Sequence, residues 1–168
     1  MKTVSILVLL TIVSVPQVLS AAGRLTLSSP VMQAGGILPL QYSCDGEGVS
    51  PPIKWRNAPK NAASFVVIMH HNAGPSDRHF YWTLYNIPGT VNAIDTGQSV
   101  GEHGANSVNR NNQYAPPCSK GPGLKSYTIS LYALSSTLNF SGSGAVTEPL
   151  LLKAMEGLLM DSAELTVN

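Results

Sequence analysis

Charge is scarce in this sequence. Asp, Glu, Lys and Arg make up 11% of the 168 residues, against about a quarter in an average soluble chain. Ser, Asn, Thr and Gly must therefore build most of the surface. No excess of one sign compensates: ten Lys and Arg stand against nine Asp and Glu. Without the basic excess that phosphate backbones attract, nucleic acid has no electrostatic case as a partner. Long apolar runs are missing as well. The longest, Val4–Val15, falls short of the roughly 20 residues that a membrane-spanning helix needs. There is no internal repeat, no block of like charge, no Gly-x-Ser-x-Gly elbow and no pair of carboxylates beside an evident cleft. Only two cysteines occur.

The short apolar run at the start has a use of its own. Lys2 supplies a positive beginning, Val4–Val15 an apolar centre, and Val18-Leu19-Ser20 the small residues that a signal peptidase accepts. The reading is a leader over residues 1–20, cleaved after Ser20 or as late as Ala22, followed by one domain over 21–168. Loss of Lys2 leaves nine basic residues against nine acidic ones. A secreted or periplasmic location follows, and Cys44 and Cys118 then read as a disulfide, with two buried thiols as the alternative. A mature domain of about 150 residues buries roughly 70% of its unfolded surface, so no metal or bridge is required for folding.

What is abundant is turn chemistry. Fifteen Gly and twelve Pro separate short segments rich in β-branched and aromatic residues, the spacing of a sandwich. Strands are expected at Leu25–Ser28, Leu38–Tyr42, Ser64–Met69, Tyr81–Ile87 and Lys125–Leu134. Phe65-Val66-Val67-Ile68-Met69 is apolar on both faces and so belongs at the centre of a sheet. In the last strand, alternation puts Lys125, Tyr127, Ile129, Leu131 and Ala133 on one face. A helix is expected from Glu148, with Leu151, Met155, Leu158 and Leu159 as its apolar stripe, Thr147 as cap and Pro149 in the first turn. Ala163–Val167 is expected to be extended. The stretch 90–123 carries little periodicity, and loops of that length are usually functional or mobile.

Four phrases, in order, carry a resemblance. They are Tyr42-Ser43-Cys44-Asp45-Gly46 with Ser50-Pro51-Pro52-Ile53-Lys54-Trp55; Trp82-Thr83-Leu84-Tyr85-Asn86-Ile87-Pro88; Pro116-Pro117-Cys118 followed by the strand Tyr127–Leu134; and Lys153-Ala154-Met155-Glu156-Gly157. Together they resemble the phosphatidylethanolamine-binding protein family, in its bacterial Raf-kinase-inhibitor-like branch. The resemblance spans about Leu25 to Val167. It implies a mainly β fold: a Greek-key antiparallel β-sandwich with a C-terminal helix and short peripheral helices. It also implies one small pocket at the end of the sheets for phosphate-like anions and phospholipid headgroups.

The pocket lining departs from the family pattern. The family's Asp-Pro-Asp-Ala-Pro loop is here His71-Asn72-Ala73-Gly74-Pro75, the His before Trp82 is Tyr81, the Gly before Pro116 is Ala115, and the His two residues before Tyr127 is Lys125. Pro75, Trp82, Pro116 and Tyr127 carry over. An ammonium and a phenol on one strand face suit an anion, one giving charge and the other a directional donor. The expected ligand residues are thus Lys125, Tyr127, Tyr81, His71, Pro116, Trp82 and Pro75, with no cofactor.

Other chemistries are weaker. His70 and His71 are adjacent on a strand and point to opposite faces, which argues against a metal site with His79 and His103 and leaves His70 to structural hydrogen bonds. Ser28, Ser29, Ser50, Ser107 and Ser119 lack a base beside them, so no catalytic residue is assigned and a hydrolase is the minor reading. Asp45 and Glu47 fit a turn. Trp55 and Trp82 fit packing, with Trp82 also near the pocket wall. Asn106, Ser107, Asn109, Asn111 and Asn112 form either a polar rim or a solvated loop. The leading expectation is an exported, non-enzymatic binding protein for a small anion or phospholipid headgroup. The alternative is a protein-interaction or inhibitor module acting through residues 90–123.

Overall fold

The structure, a computed structural model, describes residues 23–74, 77–118, 122–141 and 144–168. The leader expected over 1–20, Pro75 and Ser119 lie outside them. Two antiparallel sheets face each other. The smaller has three strands in the order β1 (Thr26–Ser28), β2 (Ile53–Arg56), β5 (Ala93–Ile94). The larger has five in the order β6 (Glu102–His103), β4 (Asp77–Pro88), β3 (Ser64–Gly74), β7 (Tyr127–Leu134), β8 (Leu159–Val167). The expected mainly β architecture is what forms.

The apolar run of β3 is central, as its two-faced hydrophobicity requires. Phe65 to Met69 are fully buried, and β3 pairs with β4 on one side and β7 on the other. Phe65, Val67 and Met69 face the small sheet, joining Trp55, Ile53, Leu84, Ile129 and Leu131 in the main core. Val66 and Ile68 point the other way, into a second core with Leu134, Leu151 and Met155. Helix α1 (Glu148–Ala154) covers this second face.

Several boundaries differ from the sequence expectation. Leu38–Tyr42 is not a strand: a 3-10 turn forms at Leu40–Tyr42, closed by the Tyr42 N–H to Pro39 O and the Ser43 N–H to Leu40 O. Pro39 has no N–H for a ladder, and its fixed φ suits a turn entry. The helix stops at Ala154, so Leu158 and Leu159 are not on it. Gly157, at φ 77°, reverses the chain, and Leu159 opens β8. Thr147 occupies the N-cap position but makes no side-chain capping bond. Within 90–123 the described residues form only the two-residue strands β5 and β6.

Candidate functional site

A cavity of about 460 Å³ opens at one end of the large sheet, lined by His71, Ala73, His79, Tyr81, Ser107, Val108, Pro116, Cys118, Lys125 and Tyr127. Backbone alternation explains much of the list. His71 and Ala73 share a face of β3, and His71 stands opposite His79 on β4. Lys125 and Tyr127 are two residues apart at the entry to β7, although the strand itself begins at Tyr127.

Tyr81 reaches the cavity through an irregularity. The register passes from Met69↔Trp82 to His70↔Phe80, so Tyr81 is an extra residue on β4. Such a bulge re-aims a side chain. Here it lets Tyr81 face the cavity while the adjacent Trp82 joins the main core on the same side. Trp82 is fully buried, packs edge-on against Tyr114 and does not line the cavity.

The backbone groups of β4 near the bulge hold the opposite wall. Phe80 N–H donates to Ser107 Oγ at 2.7 Å, Ser107 N–H donates to Phe80 O at 2.9 Å, and Ala115 N–H donates to Tyr81 O at 2.7 Å. Ser107 is therefore a bracket, and Ala115 sets the position of Pro116. Behind them Asn106, only 2% exposed, ties the loop together. Its Nδ2 donates to Asn109 Oδ1, Asn111 O and Gln113 O, and its Oδ1 accepts from the N–H groups of Val108 and Asn109. Asn106 is thus a buried organiser and no part of a polar rim, while Asn109, Asn111 and Asn112 are exposed.

The remaining groups are fixed from the β7 side. Ser126 O accepts from His71 Nδ1 at 2.9 Å, and Ser126 Oγ donates to Asn168 at 2.8 Å. A carbonyl only accepts, so His71 carries its proton on Nδ1 in this contact. The Tyr127 ring lies 5.6 Å from the rings of both His71 and Tyr81, the latter edge-on at 80°. Burial, then the neighbouring Tyr127 and Asp77, push Tyr81 up to about 12, so it remains a neutral phenol and a donor. Among the described residues the lining holds no carboxylate, and Lys125 is its one permanent charge. Asp77 stands just outside, with Oδ1 3.2 Å from His79 Nε2.

Of the expected ligand residues, the fold brings together Lys125, Tyr127, Tyr81, His71 and Pro116. Trp82 is set aside in the core, and Pro75 lies outside the described residues. Sequence reasoning missed His79, Val108 and Cys118, while Ser107, expected at either a polar rim or a solvated loop, lies in the cavity wall. The parity of 79 with 81 offered a signal for His79, whereas Ser107 and Val108 are set by tertiary contacts alone. His70, as expected, faces away from His71. It is 7% exposed, and among the described residues its Nδ1 has no hydrogen-bond partner, so the expected structural hydrogen bond is not made at that nitrogen. Cys44 and Cys118 form the expected disulfide. No group of three or more His, Cys, Asp or Glu among the described residues is placed to hold a metal ion. Nor is any described helix long and apolar enough to cross a membrane.

Comparison with known proteins agrees with this architecture. The family model "Phosphatidylethanolamine-binding protein" matches residues 28–168. A UPF0098 protein of Chlamydia trachomatis is 32% identical over 145 residues, covering 83% of this chain and 94% of that one. A UPF0098 protein of Methanothermobacter thermautotrophicus is 33% identical over 136 residues, 77% of this chain and 88% of that one. A Mycobacterium tuberculosis protein described as a lipoprotein, LppC, is 31% identical over 120 residues, 70% of this chain and 59% of that one. The crystal structure of a Chlamydia trachomatis phosphatidylethanolamine-binding protein homologue superposes with a TM-score of 0.76 at 31% identity, covering 86% of this chain and 95% of that chain. Escherichia coli YbcL shares the fold at the same TM-score with 20% identity, over 86% of this chain and 97% of that one.

The chain belongs to the phosphatidylethanolamine-binding protein family. It is a binding protein of that type, in a family whose members are in general non-enzymatic.

Proposed function

We propose that the cavity at the end of the large sheet binds a small oxyanion, as free phosphate or as the phosphorylated headgroup of a lipid, without catalysing a reaction on it. The observation that carries this reading is the convergence of Lys125, Tyr127, Tyr81 and His71 on one cavity whose described lining contains no carboxylate. Lys125 supplies charge. A phenol held neutral at Tyr81 supplies a directional donor across the pH range of most biology. Ser107, the only serine in the lining among the described residues, has its hydroxyl engaged with the Phe80 backbone, which argues against a nucleophile.

Export fits the same reading. The leader expected over 1–20, the Cys44–Cys118 bridge and the relative described as a lipoprotein support a secreted or periplasmic location. The protein would then meet its ligand in an oxidising compartment.

The test is calorimetric titration of inorganic phosphate and of glycerophosphoethanolamine into the wild type and Lys125→Ala. Binding to the wild type, weakened about tenfold or more in the variant, is expected, since a charge-assisted contact contributes about 1.5–3 kcal/mol. Absence of binding in both proteins, or equal binding in both, overturns the assignment. Tighter binding of the glycerophospho-compound would identify the headgroup as the source of the anion.

A further inference from the structure

A second cavity, also of about 460 Å³, lies on the other face of β4. His79 and Tyr81 point into the first cavity, while Phe80 between them points into this one. Its apolar walls are Phe80, Ala105, Ala145 and Pro149, and among the described residues two charged ones line it, Glu148 and Arg110. They carry opposite signs.

Glu148 is the unusual member. It is 5% exposed, and its one partner among the described residues is Arg78, whose Nη1 lies 3.3 Å from Oε1 without making a hydrogen bond to it. The guanidinium offsets part of the charge but leaves Oε1 without a directional donor; that oxygen is itself sealed from solvent, so a ligand in the cavity can reach the carboxylate only through its other oxygen. A buried carboxylate in that condition is costly unless further donors complete it. Arg78 cannot easily do more, because it also lies over the Phe80 ring at 5.2 Å, and it does not line the cavity. Arg110 is exposed, adopts a positive φ of 65° and has no ion pair or side-chain hydrogen bond among the described residues.

We propose that this second cavity binds a small zwitterion of the amino-acid type with an apolar side chain: its ammonium bonds the Glu148 carboxylate, its carboxylate bonds the Arg110 guanidinium, and its side chain rests on Phe80. A simple anion would be drawn to Arg110 but would face an incompletely bonded carboxylate. A simple amine would complete Glu148 and leave Arg110 unanswered. Opposite charges across apolar walls match a ligand carrying both, and the volume lies in the range of small-molecule sites. Guanidinium and carboxylate pair in a planar, two-bond geometry that the exposed Arg110 side chain can adopt.

The test uses the whole folded domain, isotopically labelled, with L-phenylalanine as probe and backbone NMR shifts as readout. Phenylalaninamide, lacking the carboxylate, and N-acetylphenylalanine, lacking the ammonium, are titrated in parallel. The expected result is movement of the Phe80, Ala105 and Ala145 resonances, with both analogues binding at least tenfold more weakly than the amino acid. Arg110→Ala should reduce phenylalanine to the affinity of its amide while leaving the amide unchanged. Glu148→Gln should weaken phenylalanine and the amide together. Because Glu148→Gln strips Arg78 of its partner and can disturb the fold, the exposed Arg110→Ala change is the deciding variant. No shift at those residues, analogues within twofold of the amino acid, or an unaltered affinity in Arg110→Ala overturns the proposal. So does loss of phenylalanine binding in Lys125→Ala, which would place the ligand in the first cavity.

Discussion

In the proposed reading, Lys125 and Tyr81 would divide the work of the first cavity between a charge and a dipole. The ammonium draws the ligand from any direction, whereas the phenol acts only along its O–H. Tyr81→Phe removes the second function and little volume, and it should weaken phosphate severalfold in calorimetry. Because burial holds the phenol protonated up to about 12, that deficit should be the same at pH 6 and at pH 8.5. A deficit confined to one end of the range would mean that Tyr81 acts through another group.

His70 makes the opposite use of burial. Its value falls from 6.5 to about 4, through desolvation first and the Arg78 charge second. The unfolded chain therefore takes up this proton near pH 6.5 while the folded protein refuses it until about 4. Stability associated with neutral His70 is intact above 6.5 and drains away as pH falls toward 4, by up to roughly 3 kcal/mol. Replacing His70 with Gln should flatten the fall in Tm between pH 7 and pH 4.5. Glu148, raised by burial, has the reverse sign: its folded form holds a proton more readily, so acidification favours the folded state at that site. A Glu148→Gln variant should steepen the same curve.

The elements that shape the site are legible to different depths. Period-two alternation is local, so the shared face of Lys125 and Tyr127 and the opposed faces of His70 and His71 can be read from sequence. Core membership of the Phe65–Met69 run is legible for the same reason. The bulge at Tyr81 is not, because the extra residue exists only relative to the register of β3. Strict alternation along β4 would have sent Tyr81 and Trp82 to opposite faces. The resemblance to a family placed both at the pocket, and the bulge keeps Trp82 in the core instead. Asn106 was illegible too, since its five bonds close only when the loop wraps on itself. Those bonds make the loop a single unit. Asn106→Ala removes a buried side chain that satisfies three backbone acceptors or side-chain oxygens and two backbone N–H groups, and it should cost about 2–4 kcal/mol. It should also weaken phosphate at the first cavity, because Ser107 and Val108 follow directly. Urea unfolding and calorimetry on one preparation would separate the two effects, and unchanged stability would show that the loop is held from elsewhere.

At the scale of the molecule, the Cys44–Cys118 bridge joins two distant parts of the chain across a separation of 74 residues. Cys118 lines the first cavity, and Cys44 sits in the turn following the 3-10 segment, where its N–H also bonds Pro117 O at 3.0 Å. The bridge thus anchors the Pro116 wall to the turn that follows Leu40–Tyr42. In the chain-entropy model, closing a loop of this length contributes about 4 kcal/mol, a large part of the 5–15 kcal/mol typical of a domain. The domain nonetheless has two cores, one between the sheets and one beneath α1, and neither contains a cysteine. The double variant Cys44→Ser with Cys118→Ser should therefore still fold, with a lower denaturant midpoint and a steeper slope, because the unbridged unfolded chain is less compact, and wild type treated with reductant should match it. Anion affinity should fall with the bridge, as the Pro116 wall loosens, whereas phenylalanine binding at the second cavity should persist, since neither cysteine lines it. Equal losses at both cavities would show instead that the bridge holds the whole sandwich together.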